Sequence, residues 1–462
     1  MVIESLKYKI LQQFGFAPTQ EQGQALDTFV SFLTDRDPQS VMILRGSAGT
    51  GKTSLSGAIV RTLLQMRQKV MLLAPTGRAA KVFSLGSGAP AYTIHRRIYR
   101  EKAFAGVDGQ FSLNDNLYTD TLFMVDEASM IANMGLGGTT FGSGCLLDDL
   151  VKFVYQGHND RLLLIGDKAQ LPPVGEEESP ALSASVMEGY GLKVYECDLN
   201  EVLRQSQSSG ILYNATLIRQ MITHDAVTGL PLIRFKGFAD IVMMPGAELV
   251  ESLGDSYHHV GMDETMVITR SNKRANIYNN GIRNMVLDRE EELSSGDMLM
   301  IVKNNYFWTE KEKKESGEGS AGAVPAFLAN GDRAKVLRVS NYIELYGFRF
   351  ATLLLQLPDY DDYEMQVTGM LDTLQSEAPA LTHEQQEELF RQVEEDYQHF
   401  VPLKADRMKS IRQDAYFNAL QIKYAYAVTC HKAQGGQWAH VYVDQGYMTD
   451  DMLTPDYIHW LY

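Results

Sequence analysis

The chain has 462 residues, 45% of them apolar and 22% charged, and a formal net charge of −16. No apolar run approaches the ~18 residues that span a bilayer, and Cys145, Cys197 and Cys430 lack the spacing of a zinc site or a disulfide framework. Length points to about two to four domains, and the N-terminus carries no apolar signal segment, so the expected location is the cytoplasm, at the nucleoid. The acidic balance is uneven: Asp359-Tyr-Asp-Asp-Tyr-Glu364 and Glu387-Glu-Leu-Phe-Arg-Gln-Val-Glu-Glu-Asp396 carry much of the excess. Overall charge therefore neither supports nor excludes nucleic acid as a partner.

The first forty residues read as helix, turn, helix. Thr19 stands where an N-cap belongs, with Gln22 three residues on, a capping-box arrangement. The Gln22 amide, with one donor and one acceptor side, also matches the edge of adenine, and the two roles need not exclude each other.

Val41-Met-Ile-Leu44 reads as a buried strand. The run after it, Gly46-Ser47-Ala48-Gly49-Thr50-Gly51-Lys52-Thr53, matches G-x-x-x-x-G-K-[ST], the loop whose N–H groups cradle a nucleotide's phosphates. Leu55, Ile59, Leu63 and Met66 then recur at helical spacing. In this setting Lys52 neutralises the β- and γ-phosphates, the Thr53 hydroxyl ligates Mg²⁺, and the glycines let the backbone approach phosphate.

Lys69 to Ala74 implies a second parallel strand, running through Pro75-Thr76-Gly77 into a helix. Tyr92-Thr93-Ile94-His95-Arg96-Arg97 gathers hydroxyl, imidazole and guanidinium groups, either for a nucleic acid or as a solvated helix start. Residues 99–113 flank Asp108-Gly109 with pairing segments, a hairpin signal. Its aromatic residues either wedge between bases or cover an ordinary surface turn.

Thr121 to Val125 reads as a strand ending in two carboxylates. Beside a phosphate loop, Asp126 is placed to hold Mg²⁺, and Glu127 to orient and deprotonate the attacking water. The Gly-rich run 134–144 is expected to be a mobile loop. After the strand Arg161 to Gly166, Gln170 is placed to bond the γ-phosphate. Arg204 either completes the phosphate cage or forms a surface ion pair.

Together these segments resemble superfamily 1 helicases of the 5′→3′ (B) group, of the RecD and phage Dda type. The matches are Gly46 to Thr53, Ala74-Pro-Thr-Gly-Arg-Ala-Ala80, Asp126-Glu-Ala-Ser129, Gly166-Asp-Lys-Ala-Gln-Leu-Pro-Pro-Val174 and Leu203-Arg-Gln205, in family order. The resemblance implies that Gln22 reads adenine. It makes Lys52, Thr53, Asp126, Glu127, Gln170 and Arg204 the nucleotide cage, and Pro75, Thr76 and His95 contacts to a single strand. The hairpin occupies the place of a strand-separating pin.

Further on, Thr265 to Asn276 looks like the opening of a second motor domain. Gly296 to Tyr306 and Leu328 to Val336 look like the start of an SH3-like barrel, continuing through Glu344 to Leu357. Thr309 to Gly322 reads as a solvated loop, and His383 to about His399 as an acidic helical extension. In Tyr424 to Gln437 the resemblance makes Thr429 and His431 nucleic-acid contacts, and Gln434 and Gly435 part of the coupling between domains, Gly435 on the nucleotide side. It is weakest over residues 206–260 and 360–410. Family members continue past the position of Leu461-Tyr462 into Thr-Ala-x-Thr-Arg, whose arginine reaches the γ-phosphate. Without it hydrolysis is expected to be weakened, since such an arginine contributes about 10³–10⁵ in rate.

The implied architecture is α/β, with two RecA-like P-loop motor domains. Residues 1–91 and 119–215 form the first, with a β-hairpin insertion at 92–118. Residues 216–303 and 415–462 form the second, C-terminally incomplete, with an SH3-like β-barrel insertion and its extension at 304–414. The implied function is an ATP- and Mg²⁺-dependent DNA helicase that moves 5′→3′ on single-stranded DNA and unwinds duplex in repair, recombination or replication. Its expected partners are single-stranded DNA, duplex/single-strand junctions and a single-strand-binding or repair protein; it is expected to be a monomer without membrane association. Two alternatives stand beside this: an ATP-binding nucleic-acid clamp or regulatory subunit without productive unwinding, and an RNA-directed helicase of the same superfamily.

Overall fold

The structure is a computed structural model and describes residues 2–47, 49–103, 110–133, 142–173, 175–201, 209–223, 232–316, 324–325, 327–360 and 362–446. Helices α1 (Val2–Phe14) and α2 (Gln20–Leu33) open the chain. Strand β1 (Ser40–Gly46) then leads to α3 (Lys52–Gln65), and β2 (Lys69–Ala74) to α4 (Gly77–Ser87). Next come β3 (Ala91–Thr93), the short α5 (Ile94–Ile98) and the paired strands β4 (Tyr99–Ala103) and β5 (Gln110–Leu113). The first half closes with β6 (Thr121–Val125), α6 (Leu146–Gln156), β7 (Arg161–Gly166), α7 (Ala184–Gly189) and β8 (Lys193–Leu199).

Six of these strands form one parallel sheet in the order β3-β2-β6-β7-β1-β8. Alternate side chains of β1 point to opposite faces. Met42 and Leu44 enter a core with Leu26, Phe29 and Leu55 of the leading helices. Val41 and Ile43 enter another with Leu150, Phe153 and Leu182. A parallel strand covered on both faces reads as an unbroken apolar run, which is why β1, β6 and β7 were visible in the sequence. Because all six strands run one way, the residues after Gly46, Ala74, Val125 and Gly166 emerge at the same edge, where α/β sheets bind ligands.

The second half begins with α8 (Gly210–Thr223), α9 (Leu249–His259), β9 (Thr265–Thr269), α10 (Asn272–Gly281), β10 (Met298–Ile301) and α11 (Phe307–Ser316). It continues through β11 (Arg333–Leu345), β12 (Phe348–Leu357), β13 (Tyr363–Met370), α12 (His383–Gln398), α13 (Lys404–Arg412) and β14 (Leu420–Tyr424). Strand β15 (Ala427–Thr429), helix α14 (Cys430–Ala433) and strand β16 (His440–Val443) complete it. A three-stranded parallel sheet, β15-β9-β16, stands beside a closed barrel, β10-β11-β12-β13-β14. They share one core, in which Val267 and Tyr426 pack with Met298, Leu353 and Ile422. The acidic α12 buries Leu389 and Val393 against Phe348, Phe350 and Ile411 at the barrel's end.

The α/β character stands, and so does a barrel in the second half. The 304–414 bounds drawn from the sequence omit two of its five strands, β10 and β14. Both pair within the barrel, and closing a sheet on itself removes the unpaired edges that an open one would leave. Part of the expected solvated loop at 309–322 is helix α11. Trp308, 5% exposed, anchors it, with the indole N–H donating to the Asn418 carbonyl at 2.9 Å, and Glu310 and Lys314 have the i,i+4 spacing of a helical ion pair. Met66 lies past the end of α3 and is exposed, unlike Leu55, Ile59 and Leu63. The Asp108-Gly109 turn, residues 134–141 of the Gly-rich run, residues 317–322 and residues 447–462 lie outside the described residues.

Candidate functional site

At the end of β1 the chain turns through Gly49 (φ +85°) and Gly51 (φ +84°), left-handed backbone that a side chain disfavours. That turn aims the N-terminus of α3 back at the loop, where a phosphate gains both N–H donors and the helix dipole. Lys52 Nζ donates to the carbonyls of Gly46 and, at 2.9 Å, Ser47. Thr50 Oγ1 also donates to the Ser47 carbonyl, at 2.8 Å. Thr53 is exposed on the first turn of α3; Ala48 lies outside the described residues.

Two carboxylates from the end of β6 meet this loop. The Asp126 N–H donates to the Leu73 carbonyl at 3.0 Å, and Asp126 Oδ1 accepts the Glu127 N–H at 2.9 Å. Glu127 itself is left-handed, at φ +53°, which turns the chain sharply after the strand. Burial raises the pKa of Asp126, and burial together with the Asp126 charge raises that of Glu127; a hydrogen bond with Gln170 and the Lys52 charge pull Glu127 the other way. Gln170 also accepts from Ser129 Oγ at 2.7 Å. Desolvation depresses the Lys52 ammonium, opposed by Asp167, Glu127 and Asp126 in that order. Lys52, Asp126, Glu127 and Gln170 thus form one electrostatic unit, although they come from three strand ends.

Gln22 reaches the same loop from the other side. Its Nε2 donates to the Thr50 carbonyl at 2.9 Å and its Oε1 accepts the Thr19 N–H at 3.1 Å, with the side chain 1% exposed. The capping box is therefore present, and both ends of the amide are engaged within the protein. An adenine-reading role requires Gln22 to leave those partners.

The residues expected to touch a single strand stand at or just after the ends of β2 and β3 of the first sheet and β15 of the second. Pro75 and Thr76 are half-buried at the start of α4, where Thr76 Oγ1 accepts the Ala79 N–H at 3.2 Å. His95 lies on α5, its ring centroid 5.7 Å from that of Tyr99, and desolvation lowers its pKa to about 4. It is neutral at pH 7, so any contact with a strand is by hydrogen bond or stacking and not by charge. Thr429 caps α14 and His431 lies within it, also held toward its neutral form by burial. Gly435 follows at φ +73°, and the Gln434 amide donates to the Leu171 carbonyl at 3.1 Å, joining the second half of the chain to the loop after β7. Arg204 lies outside the described residues.

Three residues of the site were not selected from the sequence. Ser129 orients Gln170; it stood in a matched segment, as did Asp167. Arg219 of α8 bonds Asp167 Oδ2 at 2.7 Å, and nothing in its surrounding sequence marked it.

Residues 17–229 match the family described as AAA domain, and residues 424–462 that described as UvrD-like helicase C-terminal domain. The ATP-dependent RecD2 DNA helicase of Deinococcus radiodurans is 30% identical over 157 residues, 34% of this chain. The ATP-dependent DNA helicase dda of Enterobacteria phage T4 is 25% identical over 267 residues, 56% of this chain. The chain is similar to superfamily 1 helicases of the B group, through both matched regions and these relatives. It spans 18% of the length of the first relative and 55% of the second. A crystal structure of Pif1 helicase from Bacteroides in complex with ADP-AlF3 and ssDNA is 12% identical, with a TM-score of 0.45 and coverage of 96% of this chain and 90% of that one. The residues of the phosphate loop and those after β6 and β7 lie inside the first matched region, and Thr429, His431 and Gly435 inside the second.

Proposed function

We propose that the chain is an ATP-dependent DNA helicase that translocates 5′→3′ on single-stranded DNA and opens duplex at junctions, in repair, recombination or replication. Its two parallel sheets act as RecA-like motor domains with the barrel as an SH3-like insertion. The observation that carries this reading is the convergence of Lys52, Asp126, Glu127 and Gln170 on a phosphate loop whose neighbouring segment is held by Gln434 of the second half.

The roles follow from chemistry. Lys52 and the N–H groups at the start of α3 bind the β- and γ-phosphates. Glu127 orients the attacking water and takes its proton, while Gln170, bonded to Glu127, senses the γ-phosphate. Thr53 and Asp126 are the hard oxygen donors that Mg²⁺ takes while keeping several waters. When bound, that cation neutralises phosphate charge. By the family resemblance alone, Arg204 is assigned to the γ-phosphate. Closure of the nucleotide cleft moves Thr429 and His431 relative to Pro75, Thr76 and His95, and the strand is passed between these two sets.

The test is ATP turnover with and without single-stranded oligonucleotides, DNA and RNA of one sequence, on this chain and on Lys52→Ala. DNA-stimulated turnover that falls ~10²–10³-fold in the variant supports the motor, since groups stabilising transferred charge contribute about that much. Stimulation by RNA alone moves the reading to an RNA helicase. Binding of nucleotide and DNA without turnover moves it to a clamp.

A further inference from the structure

Asp167 follows β7 and is 7% exposed, and it is the largest of the charges acting on Lys52. A carboxylate there repels any triphosphate that Lys52 attracts. Asp167 Oδ1 accepts the Ala169 N–H at 3.0 Å, and Oδ2 faces Arg219 at 2.7 Å, the two side chains 9% and 21% exposed.

Arg219 comes from α8, which is itself tied down. Its first N–H, that of Gly210, donates to Asp240 at 2.7 Å, and Asn214 exchanges two hydrogen bonds with the backbone of Arg234, at 2.9 and 2.8 Å. Residues 232–248, held in this way against α8, lead directly into α9 and the second sheet. The Asp167–Arg219 pair is thus where the phosphate pocket meets the element from which the chain crosses over.

We propose that Arg219 is a positioning residue that neutralises Asp167 beside the phosphate pocket, and that through this ion pair α8 responds to the presence of nucleotide. This rests on the nucleotide-binding reading above. A nucleotide's phosphates compete with Asp167 for Lys52 and Arg219, so binding redistributes the pair and shifts α8. By reciprocity, whatever holds α8 alters nucleotide affinity.

The experiment measures affinity for a fluorescent ATP analogue, without DNA, on the whole chain and on Arg219→Gln, Arg219→Lys, Asp167→Asn and the double variant. It adds hydrogen exchange of residues 210–221 with and without nucleotide. Arg219→Gln strands a carboxylate in the pocket and is expected to bind roughly 10–100-fold more weakly. Arg219→Lys keeps the charge and most of the affinity. Adding Asp167→Asn to Arg219→Gln removes the stranded charge and restores affinity, a rescue that a merely structural arginine would not show. Nucleotide is expected to change exchange in α8 of the wild type and not of the double variant.

Equal affinity in wild type and Arg219→Gln, or no rescue by Asp167→Asn, overturns the proposal while leaving nucleotide binding intact. No binding by the wild type overturns both readings. If Arg219→Gln does not fold, Asp167→Asn alone decides. Loss of one negative charge with the Ala169 contact kept should tighten nucleotide binding, and weaker binding overturns the proposal.

Discussion

The side-chain amide of Gln434 donates to the carbonyl oxygen of Leu171 across 3.1 Å. One residue before Leu171 stands Gln170, bonded to Glu127 and Ser129. A segment beside α14 is therefore two bonds from the carboxylate expected to activate water. A neutral hydrogen bond contributes ~0.5–1.5 kcal/mol, so Gln434→Ala should lower the ratio of DNA-stimulated to unstimulated ATP turnover roughly 3–10-fold. Steady-state turnover over a range of oligonucleotide concentrations checks this; an unchanged ratio removes the bond from the coupling path.

Glu127 and Asp126 both have raised pKa values, through burial and, for Glu127, the Asp126 charge. A base must be deprotonated to act, so turnover should be lost as pH falls through an inflection above the ordinary carboxylate range. Glu127→Gln should abolish that inflection and cost ~10²–10⁴ in rate while nucleotide still binds. A pH profile of both proteins, with binding measured in parallel, is the check.

Asp332 is 1% exposed and pushed up to about 7 by burial, although it accepts from the Tyr360 hydroxyl at 2.6 Å and the Ala329 N–H at 2.7 Å. The folded state then holds a proton that the unfolded state gives up near pH 4, so stability falls as pH rises between about 4 and 7. Asp332→Asn removes this dependence. Its melting temperature should exceed the wild type's most above pH 7, with the gap closing toward pH 4; a constant gap would mean that Asp332 is ionised in the fold throughout.

Gly57 lies inside α3, where alanine ordinarily stabilises a helix by about 1 kcal/mol. Here a β-carbon would stand 2.5 Å from the Gly86 carbonyl oxygen of α4, an acceptor already used by Arg61 at 3.1 Å. Because the obstacle is backbone, relief requires moving a helix, and overpacking of this kind costs about 1–3 kcal/mol. Gly57→Ala should therefore lower the melting temperature. A rise would show that the two helices can separate freely.

What the sequence determined by itself was local. The phosphate loop was legible because its cradle is made by eight consecutive residues, and the strand ends at Asp126 and Gly166 because doubly covered parallel strands are apolar throughout. Thr19 and Gln22 could be read as a cap for the same reason. Only the tertiary structure decided that the Gln22 amide also spans to Thr50, that His95 is buried enough to stay neutral, and that β14 closes the barrel instead of extending the second sheet. Asp167 and Arg219, 52 positions apart, form a pair only because α8 lies against the edge where β7 ends. A contact of that kind leaves no periodicity and no motif in the chain, since it depends on where two elements are packed and not on what either one is.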